Sequence, residues 1–488
     1  MNLYSILEHA ARQWPNAIAL AQDGNAFSYG ALADAASRLA DHLRRLGVGP
    51  GCKVVILFPR CVEYVVSCFA VLRQGSIAVP MSSALKRDEI ARLAVDIAPD
   101  AYCYSAALGG AVPYGDESSR LGLSAIDGRR MTIEMKSASP RPGAPTERDR
   151  LRAVDAAYIC FSSGTTSRSK GIVLPHQALM ERATQALHAP QVTRATSILW
   201  LRAFDRFVPH QIMRAFSVGA RVVLGTTFEA DLLPEWIAKY HVDQVWAPPT
   251  FYRALLHAPL TRNELQPIRH FLSSGAPLPV DVAADFRARF GHEISQTYGS
   301  AECSPIFINA SEDPAKRGSV GLPVPGREVR LMPNSGEDSA DPAQGELAVR
   351  GGGMFAAYYN PWIAREEVSE NGWFRTGDIA RRDADGYYWV VGRIKEAINV
   401  GGAKVFPREL EEILLAHPDV DDCVVYGAPD PRYGEVPHAK VKLRGAAAPT
   451  QQQLLDFVGD RVSVMRALRK IEFTDRIDRT VTGKIRRW

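Results

Sequence analysis

An apolar run leads directly into a loop of small and hydroxylic residues that ends in a lysine. The run is "AAYICF" (Ala156 to Phe161), and the chain continues as "SSGTTSRSKG" (Ser162 to Gly171). A short apolar run bounded by turn residues is typical of a buried strand. A flexible, hydroxyl-rich loop at the end of such a strand is a common way to surround a phosphate. The sequence therefore predicts an α/β fold with an anion-binding loop at a strand end.

Helical and strand patterns alternate along most of the chain. One helical face carries Leu32, Ala36, Leu39, Leu43 and Leu46. "KVVILF" (Lys53 to Phe58) then predicts a buried strand, and "EYVVSCFAVLRQG" predicts a helix that ends at Gly75. This alternation predicts α/β layers. The stretch from Lys136 to Arg150 is rich in Pro, Ser and charge, and it predicts a surface connection.

The length of 488 residues predicts more than one domain, because a single core rarely grows so large. The pattern changes near Gly392. A helix ("PRELEEILLAH"), two strands, a helix after Pro449 and a basic tail follow, which together have the size of a small α/β domain. We therefore expect an N-terminal domain over 1–394 and a C-terminal domain over 395–488.

Charge and cysteine usage exclude several classes of protein. The net charge of +4 gives no reason to expect nucleic acid or membrane binding. Glu8, His9 and Arg12 interrupt the first apolar stretch, so it does not resemble a secretory signal. The seven cysteines show no C-x-x-C spacing and predict reduced core thiols in a cytoplasmic protein. Cys303 stands beside Glu302, but a core role is favoured for it as well.

A Walker A loop, G-x-x-x-x-G-K-[ST], is the first alternative for the hydroxyl-rich loop. With Lys170 in register, Gly164 fits the first glycine. Ser169 then replaces the second glycine, and Gly171 replaces the metal-binding hydroxyl residue. A kinase or nucleoside triphosphatase of that class is therefore disfavoured.

The loop resembles instead the S-S-G-T-T-G-x-P-K-G signature of the adenylate-forming superfamily, which includes acyl-CoA synthetases, adenylation domains of peptide synthetases and luciferases. Further stretches resemble the other motifs of that superfamily in the same order. They are "FSYGALADAA", "VLRQGSIAVPM", "SSGAPL", "QTYGSAE", "GELAVRGGGMFAAYYN", "WFRTGDIA", "GRIKEAINVGGAKVFPRELE" and "RTVTGKIRR". The chain is therefore identified as a member of this superfamily.

The resemblance implies a reaction with two steps and a fold with a mobile C-terminal lid domain. A small-molecule carboxylic acid reacts with ATP and Mg²⁺ to give an acyl-adenylate and pyrophosphate. The thiol of CoA, or of the phosphopantetheine on a carrier protein, then takes the acyl group and releases AMP. Between the steps the small domain rotates about a hinge, which falls here at Lys395.

The resemblance also assigns nucleotide-binding residues. Phosphate contacts are expected from Ser162, Ser163, Gly164, Thr165, Thr166 and Lys170. Tyr298 is expected against adenine, with Gly275, Ala276 and Pro277 as the other wall, and Thr297, Gly299 and Ser300 beside it. Asp378 and Arg393 are expected to bind the ribose.

Two further residues carry the predicted chemistry. Glu302 is the expected Mg²⁺ ligand, because Mg²⁺ takes oxygen ligands. Lys484 is expected to bridge the attacking carboxylate and the phosphate during adenylation. Ser167, Ser169 and Ala301 depart from the superfamily pattern. Ala301 removes a hydroxyl contact worth about 0.5–1.5 kcal/mol, which Ser300 or Ser304 is placed to replace.

The acid pocket leaves alternatives open. Its expected residues are Asp205, Arg206, Trp246, Ser274 and Thr297. Asp205 fits both an ammonium-binding position and a helix cap. The hinge motif favours an acyl-CoA synthetase. A stand-alone enzyme that loads an amino acid or another acid onto a carrier protein is the second reading, and a non-catalytic nucleotide-binding relative is the third.

Overall fold

The computed structural model describes residues 2–112, 118–124, 130–137, 145–161, 170–185, 190–202, 210–225, 230–333, 344–445 and 449–478. Its helices are α1 (Tyr4–Gln13), α2 (Tyr29–Arg45), α3 (Val62–Arg73), α4 (Arg87–Ile97), α5 (Pro145–Ala153), α6 (His176–Gln185), α7 (His210–Ser217), α8 (Leu233–Tyr240), α9 (Pro249–Leu255), α10 (Arg262–Leu265), α11 (Val280–Phe290), α12 (Pro407–Leu415) and α13 (Gln451–Gly459).

The strands, in chain order, are β1 (Ile18–Gln22), β2 (Asn25–Ser28), β3 (Lys53–Phe58), β4 (Ile77–Ser82), β5 (Ala101–Tyr104), β6 (Ser118–Ser124), β7 (Arg130–Ser137), β8 (Ala156–Phe161), β9 (Gly171–Pro175), β10 (Ser197–Trp200), β11 (Arg221–Leu224), β12 (Gln244–Ala247), β13 (His270–Ser273), β14 (Ile294–Tyr298), β15 (Phe307–Asn309), β16 (Leu322–Pro323), β17 (Arg327–Met332), β18 (Gln344–Gly351), β19 (Ala357–Tyr358), β20 (Ile363–Ala364), β21 (Ser369–Glu370), β22 (Trp373–Arg382), β23 (Tyr388–Arg393), β24 (Ile398–Val400), β25 (Ala403–Val405), β26 (Val420–Asp430), β27 (Gly434–Leu443) and β28 (Lys470–Phe473). The predicted strands over Lys53–Phe58 and Ala156–Phe161 are both confirmed.

Two large sheets form the N-terminal part. One has the order β16-β15-β14-β13-β12-β10-β11-β1-β2, and the other has the order β20-β19-β9-β8-β4-β3-β5-β7-β6. From β14 to β1 the neighbouring strands of the first sheet run parallel, as do β5, β3, β4 and β8 in the second. The carboxyl ends of parallel strands share one edge of a sheet, which is where ligands bind in open α/β folds.

Side chains on these strands alternate between separate cores. On β10, Ile198 and Trp200 face the core that also contains α2, α3 and α7, whereas Leu199 faces the core formed with α8, α9 and α11. In the second sheet, β3, β4, β5 and β8 are buried on both faces, so they are mostly apolar instead of alternating with polar residues. The seven cysteines are all buried and free, which confirms the predicted core thiols.

The structure corrects the expectation of a surface connection up to Arg150. Residues Pro145–Ala153 form α5, and Glu147 on this helix pairs with the buried amine of Lys53 and accepts a hydrogen bond from the Tyr359 hydroxyl. A buried lysine needs a charged partner, and Glu147 supplies it from a distant part of the sequence. The local composition did not reveal this partner.

A small sheet of order β25-β24-β27-β26, with β28 beside β27, forms the core of the C-terminal domain together with α12 and α13. Two ion pairs join it to the large domain. Arg253 Nη1 on α9 lies 3.7 Å from Asp421 Oδ1, and Arg444 Nη2 lies 3.2 Å from Asp281 Oδ2 on α11. Partly exposed pairs of this kind contribute about 0–1 kcal/mol each. Among the described helices, none has the length and hydropathy needed to cross a membrane.

Candidate active site

Several predicted site residues lie outside the described residues. They are Ser162, Ser163, Gly164, Thr165 and Thr166 of the hydroxyl-rich loop, Asp205 and Arg206 of the acid pocket, and Lys484 near the C-terminus. The predictions for these residues stay predictions. The described site is formed by the ends of β13 and β14, the start of β9, the segment around β19, and the strands β22 and β23.

The segment Ser274–Pro277 leaves the carboxyl end of β13 beside the end of β14. Thr297 Oγ1 donates to the Ser273 carbonyl over 3.5 Å, and the Leu278 amide donates to Gln296 Oε1 over 3.1 Å. Gly275 has a φ of +92°, a conformation that other residues rarely adopt. The Ser274 hydroxyl is buried and has no partner among the described residues. The structure therefore places Ser274, Gly275 and Thr297 together at the expected edge.

The turn after β14 is tightly packed around Gly299. A Cβ on Gly299 would lie 2.8 Å from Ser304 Oγ and 2.9 Å from Ser304 Cα, so no other residue fits without a shift. Ser300 Oγ lies 3.3 Å from the buried Cys303 sulfur. Cys303 is therefore part of the packing, and replacement of the missing Ala301 hydroxyl by Ser300 or Ser304 stays a prediction.

Lys170, Tyr358 and Glu302 form what we call the phosphate-side cluster. The Tyr358 hydroxyl donates to Glu302 Oε1 over 3.2 Å, and Lys170 Nζ lies 4.5 Å from the centroid of the Tyr358 ring. Burial and the Glu302 carboxylate raise the pKa of Tyr358, so its hydroxyl remains a donor. Glu302 and Lys170 form no ion pair with any residue that the structure describes. Both charges remain available to a ligand.

The backbone of Glu302 is held by groups that the sequence did not reveal. The buried guanidinium of Arg182, on α6, donates from Nη2 to the carbonyls of Ala301 and Glu302, each over 2.9 Å. The Phe355 amide donates to the Glu302 carbonyl over 2.8 Å. Burial lowers the pKa of Arg182 to about 10, which still leaves it charged at neutral pH. Arg182 was missed because an arginine in "HQALMERATQ" looks like an ordinary surface residue of an amphipathic helix.

Asp378, Tyr298 and Arg393 form what we call the hinge-side cluster. Arg393 Nε donates to Asp378 Oδ1 over 2.8 Å, and the Tyr298 hydroxyl donates to Asp378 Oδ2. Burial and the neighbouring Asp378 carboxylate raise the pKa of Tyr298 well above its usual range. Asp378 itself is only 3% exposed. The structure thus brings together the residues that were predicted for adenine and for ribose.

The hinge motif follows this cluster directly. β23 ends at Arg393, and Lys395 lies exposed in a single turn of 3₁₀ helix, Ile394–Glu396, before β24 begins the small sheet. Gly392 packs closely against Phe406, the residue just before α12. A Cβ on Gly392 would lie 2.8 Å from the Phe406 ring. The chain therefore leaves the sheet that contains β22 and β23 and enters the small sheet across this turn, and the hinge at Lys395 stays a prediction.

Trp246 lies in the core at the end of β12, where only 3% of it is exposed. Its ring stacks on that of Trp200, with centroids 5.9 Å apart and an interplanar angle of 18°. Its predicted contact with the acid stays a prediction.

Comparisons with known proteins identify the family. The family described as AMP-binding enzyme matches residues 7–359, and the AMP-binding enzyme C-terminal domain matches residues 409–484. Feruloyl-CoA synthase from an Amycolatopsis species is 30% identical over 97% of this chain and 95% of its own length. Oxalate–CoA ligase from Arabidopsis thaliana is 29% identical over 99% of this chain and 97% of its own length.

Solved structures show the same fold. ATP-bound MatB from Rhodopseudomonas palustris superposes with a TM-score of 0.84 at 24% identity, and covers 99% of this chain and 97% of its own. The anthranilate CoA ligase AuaEII in complex with anthranoyl-AMP superposes with a TM-score of 0.81 at 23% identity. It covers 99% of this chain and 95% of its own. The predicted α/β fold, with a large N-terminal and a small C-terminal domain, is confirmed. The chain belongs to the AMP-binding enzyme family, the adenylate-forming superfamily that its motifs predicted.

Proposed function

We propose that this enzyme joins a small carboxylic acid to coenzyme A at the expense of ATP. A carboxylate oxygen attacks the α-phosphorus of ATP, and the bond to pyrophosphate breaks. The CoA thiol then loses its proton and attacks the acyl carbon of the adenylate, and the bond to AMP breaks. The products are an acyl-CoA, AMP and pyrophosphate.

The observation that carries this proposal is the phosphate-side cluster, at the sheet edge where the hydroxyl-rich loop rejoins β9. It presents an ammonium and a carboxylate that both contact Tyr358 and form no ion pair with any described residue, which suits a nucleotide polyphosphate with its metal ion. The predicted enzyme class, an AMP-forming acid–thiol ligase, is confirmed by the family match. It is also confirmed by relatives that are named as CoA synthases or ligases and that align with nearly the whole chain.

The residues present fit an Mg²⁺ ion bound together with ATP. Mg²⁺ is commonly held by one or two carboxylates plus substrate phosphates, so a dedicated protein cage is unnecessary. The half-buried Glu302 carboxylate is oriented by the neutral Tyr358 hydroxyl. Glu302 would hold the ion, and the ion would neutralise charge on the phosphates during adenylation. Lys170 would bind a phosphate oxygen directly.

The hinge-side cluster supports a contact with the ribose. An aspartate carboxylate accepts hydrogen bonds from both hydroxyls of a diol. Asp378 is already held in place by Arg393 and Tyr298. We propose that ribose hydroxyls bind Asp378, and that adenine lies between Tyr298 and the Gly275–Pro277 segment.

We also propose that the domains meet at 394/395 and that the small domain serves the two steps in two orientations. Lys484→Ala should abolish acyl-adenylate formation, because this lysine is needed only in the adenylating orientation. Thioester formation from synthetic acyl-adenylate and CoA should remain. Lys395→Pro restricts φ at the hinge and should have the opposite effect. Equal slowing of both steps by Lys484→Ala would contradict the two-orientation mechanism.

The activity is tested by carboxylate-dependent exchange of pyrophosphate into ATP, with ferulate, indoleacetate, anthranilate, oxalate and a set of amino acids. These acids include those named in the relatives and neighbours. Exchange with one or more of them, followed by acyl-CoA formation on addition of CoA, is the expected result. Exchange with none of them would contradict an acid-activating function.

The same assay also tests the carrier-protein alternative and the predicted role of Asp205. Transfer only to a phosphopantetheinylated carrier protein would favour the loading enzyme over the CoA ligase. If an amino acid is the preferred substrate, Asp205→Ala should nearly abolish its turnover, because a buried ammonium would lose its partner at a cost of about 3–5 kcal/mol. The cytoplasmic location stays a prediction.

A further inference from the structure

Tyr358 is the residue that connects the two charged groups of the phosphate-side cluster, and no motif assigned it a role. Its hydroxyl donates to Glu302 Oε1 over 3.2 Å, while its ring lies under Lys170 Nζ at 4.5 Å. We infer that Tyr358 is a positioning residue that fixes the Glu302 carboxylate and the Lys170 ammonium relative to each other and keeps them from pairing. This inference rests on the proposed function, since it assigns these two groups to metal and phosphate.

The backbone makes Tyr358 a rigid connection. β19 pairs with β9, with Tyr358 opposite Ile172, close in sequence to Lys170. In the same segment the Phe355 amide donates to the Glu302 carbonyl over 2.8 Å, and the Phe355 ring packs on Tyr358 with centroids 5.0 Å apart. Only 9% of Tyr358 is exposed. One short segment therefore holds Glu302 by its main chain at Phe355 and by its side chain at Tyr358.

A tyrosine suits this position because its two ends have different electrostatic character. The hydroxyl is a neutral donor that orients a carboxylate without cancelling its charge. The ring face is electron-rich and attracts an ammonium without neutralising it. A direct ion pair between Lys170 and Glu302 would remove both charges from the reach of a ligand. Lys170 lies over the ring and Glu302 lies at the hydroxyl, so Tyr358 contacts the two charged groups at different places.

The test separates the two ends of the side chain. Tyr358→Phe keeps the ring and removes the hydroxyl, whereas Tyr358→Leu removes both. Equilibrium binding of ATP is measured in EDTA, and Mn²⁺ is then titrated into the ATP complex and followed by electron paramagnetic resonance. Neither measurement requires an acid or a thiol, so the result remains readable even if no acid supports pyrophosphate exchange.

We expect Tyr358→Phe to bind ATP normally in EDTA and to bind Mn²⁺ about 10–100-fold more weakly, the usual effect of removing a partner of a metal ligand. Tyr358→Leu should also weaken ATP binding in EDTA, because Lys170 loses its support. Glu302→Gln should remove the effect of Tyr358→Phe, because the hydroxyl acts only through that carboxylate. If Tyr358→Leu does not fold, Tyr358→Phe and the double variant carry the test.

Tyr359→Phe is the matched control. Tyr359 is the neighbouring residue, but its hydroxyl contacts Lys53, Glu147 and the Ile97 carbonyl on the opposite side of the strand. We expect it to lower thermal stability without changing Mn²⁺ affinity. Wild-type Mn²⁺ affinity in Tyr358→Phe, an equal loss in Tyr359→Phe, or a loss that persists in the Glu302→Gln background would overturn the inference.

Discussion

The two clusters of the site use the same three kinds of residue in different arrangements. Each contains a carboxylate, a tyrosine that donates its hydroxyl to that carboxylate, and a cation. In the hinge-side cluster the cation pairs directly with the carboxylate, since Arg393 Nε lies 2.8 Å from Asp378 Oδ1. In the phosphate-side cluster the cation lies on the tyrosine ring, and the carboxylate of Glu302 has no charged partner among the described residues.

This difference indicates what each cluster is able to bind. Asp378 is buried and its charge is compensated within the protein, so it suits a neutral partner such as a hydroxyl group. Glu302 is only half buried, and its carboxylate forms no ion pair with any residue that the structure describes. A carboxylate in that state attracts an external cation. The contrast therefore predicts that charge matters for function at Glu302 and for stability at Asp378.

The largest effect is expected for Glu302→Gln. Glutamine keeps the shape of the side chain and still accepts the Tyr358 hydrogen bond, but it removes the charge that would hold Mg²⁺. Pyrophosphate exchange should fall by at least about 100-fold, a loss typical of removing one electrostatic contact to the reacting groups. The unfolding midpoint in urea should stay at the wild-type value. An unchanged exchange rate would remove Glu302 from the site.

Asp378→Asn should mainly lower stability and leave metal-dependent ATP binding unchanged, the opposite of Glu302→Gln. Arg393 loses its ionic partner, although half of its side chain, 51%, is exposed to solvent, which limits the loss. We expect a decrease of about 1–2 kcal/mol in the free energy of unfolding of the large domain, near the lower end for hydrogen bonds to charged groups. The Mg²⁺ dependence of ATP binding should not change. A shift in that dependence as large as that of Glu302→Gln would break the distinction between the clusters.

The sequence predicted the charged members of both clusters, and the structural reasons are clear. All four charged residues lie in motifs that follow the expected order. Glu302 follows β14 and Lys170 precedes β9, whereas Asp378 and Arg393 lie opposite each other on the antiparallel strands β22 and β23. The hydrogen bonds between the tyrosines and the carboxylates were harder to predict from the sequence, because they join residues far apart in the chain. Neither Tyr298 with Asp378 nor Tyr358 with Glu302 follows from local sequence.

The adjacent tyrosines of "AAYYN" illustrate what sequence alone left open. Side chains on a strand alternate between its two sides, so one tyrosine must face the site and the other must face away. Which one faces the site depends on how β19 pairs with β9, with Tyr358 opposite Ile172. The role of α5 depends in the same way on a distant partner, because Glu147 is needed by the buried Lys53.

The smallest effect is expected for Tyr298→Phe, and it offers the closest comparison with Tyr358→Phe. Both changes remove one hydroxyl that donates to a site carboxylate. At Tyr298 the carboxylate keeps Arg393, which donates over 2.8 Å, and the Asp378 amide remains fixed by Thr376 Oγ1 over 3.2 Å. At Tyr358 the carboxylate loses the one side-chain donor that the structure describes for it.

Tyr298→Phe should therefore cost about 0.5–1.5 kcal/mol of unfolding free energy, the value for an ordinary hydrogen bond, and leave Mn²⁺ affinity in the ATP complex unchanged. The loss is kept small because Arg393 continues to orient and neutralise Asp378, whereas no equivalent partner supports Glu302. Urea unfolding and Mn²⁺ titration of the two Tyr→Phe variants, prepared in parallel, measure this contrast. Equal Mn²⁺ affinities in the two variants would mean that a tyrosine hydroxyl has the same function in both clusters, and that direct pairing with a cation does not distinguish them.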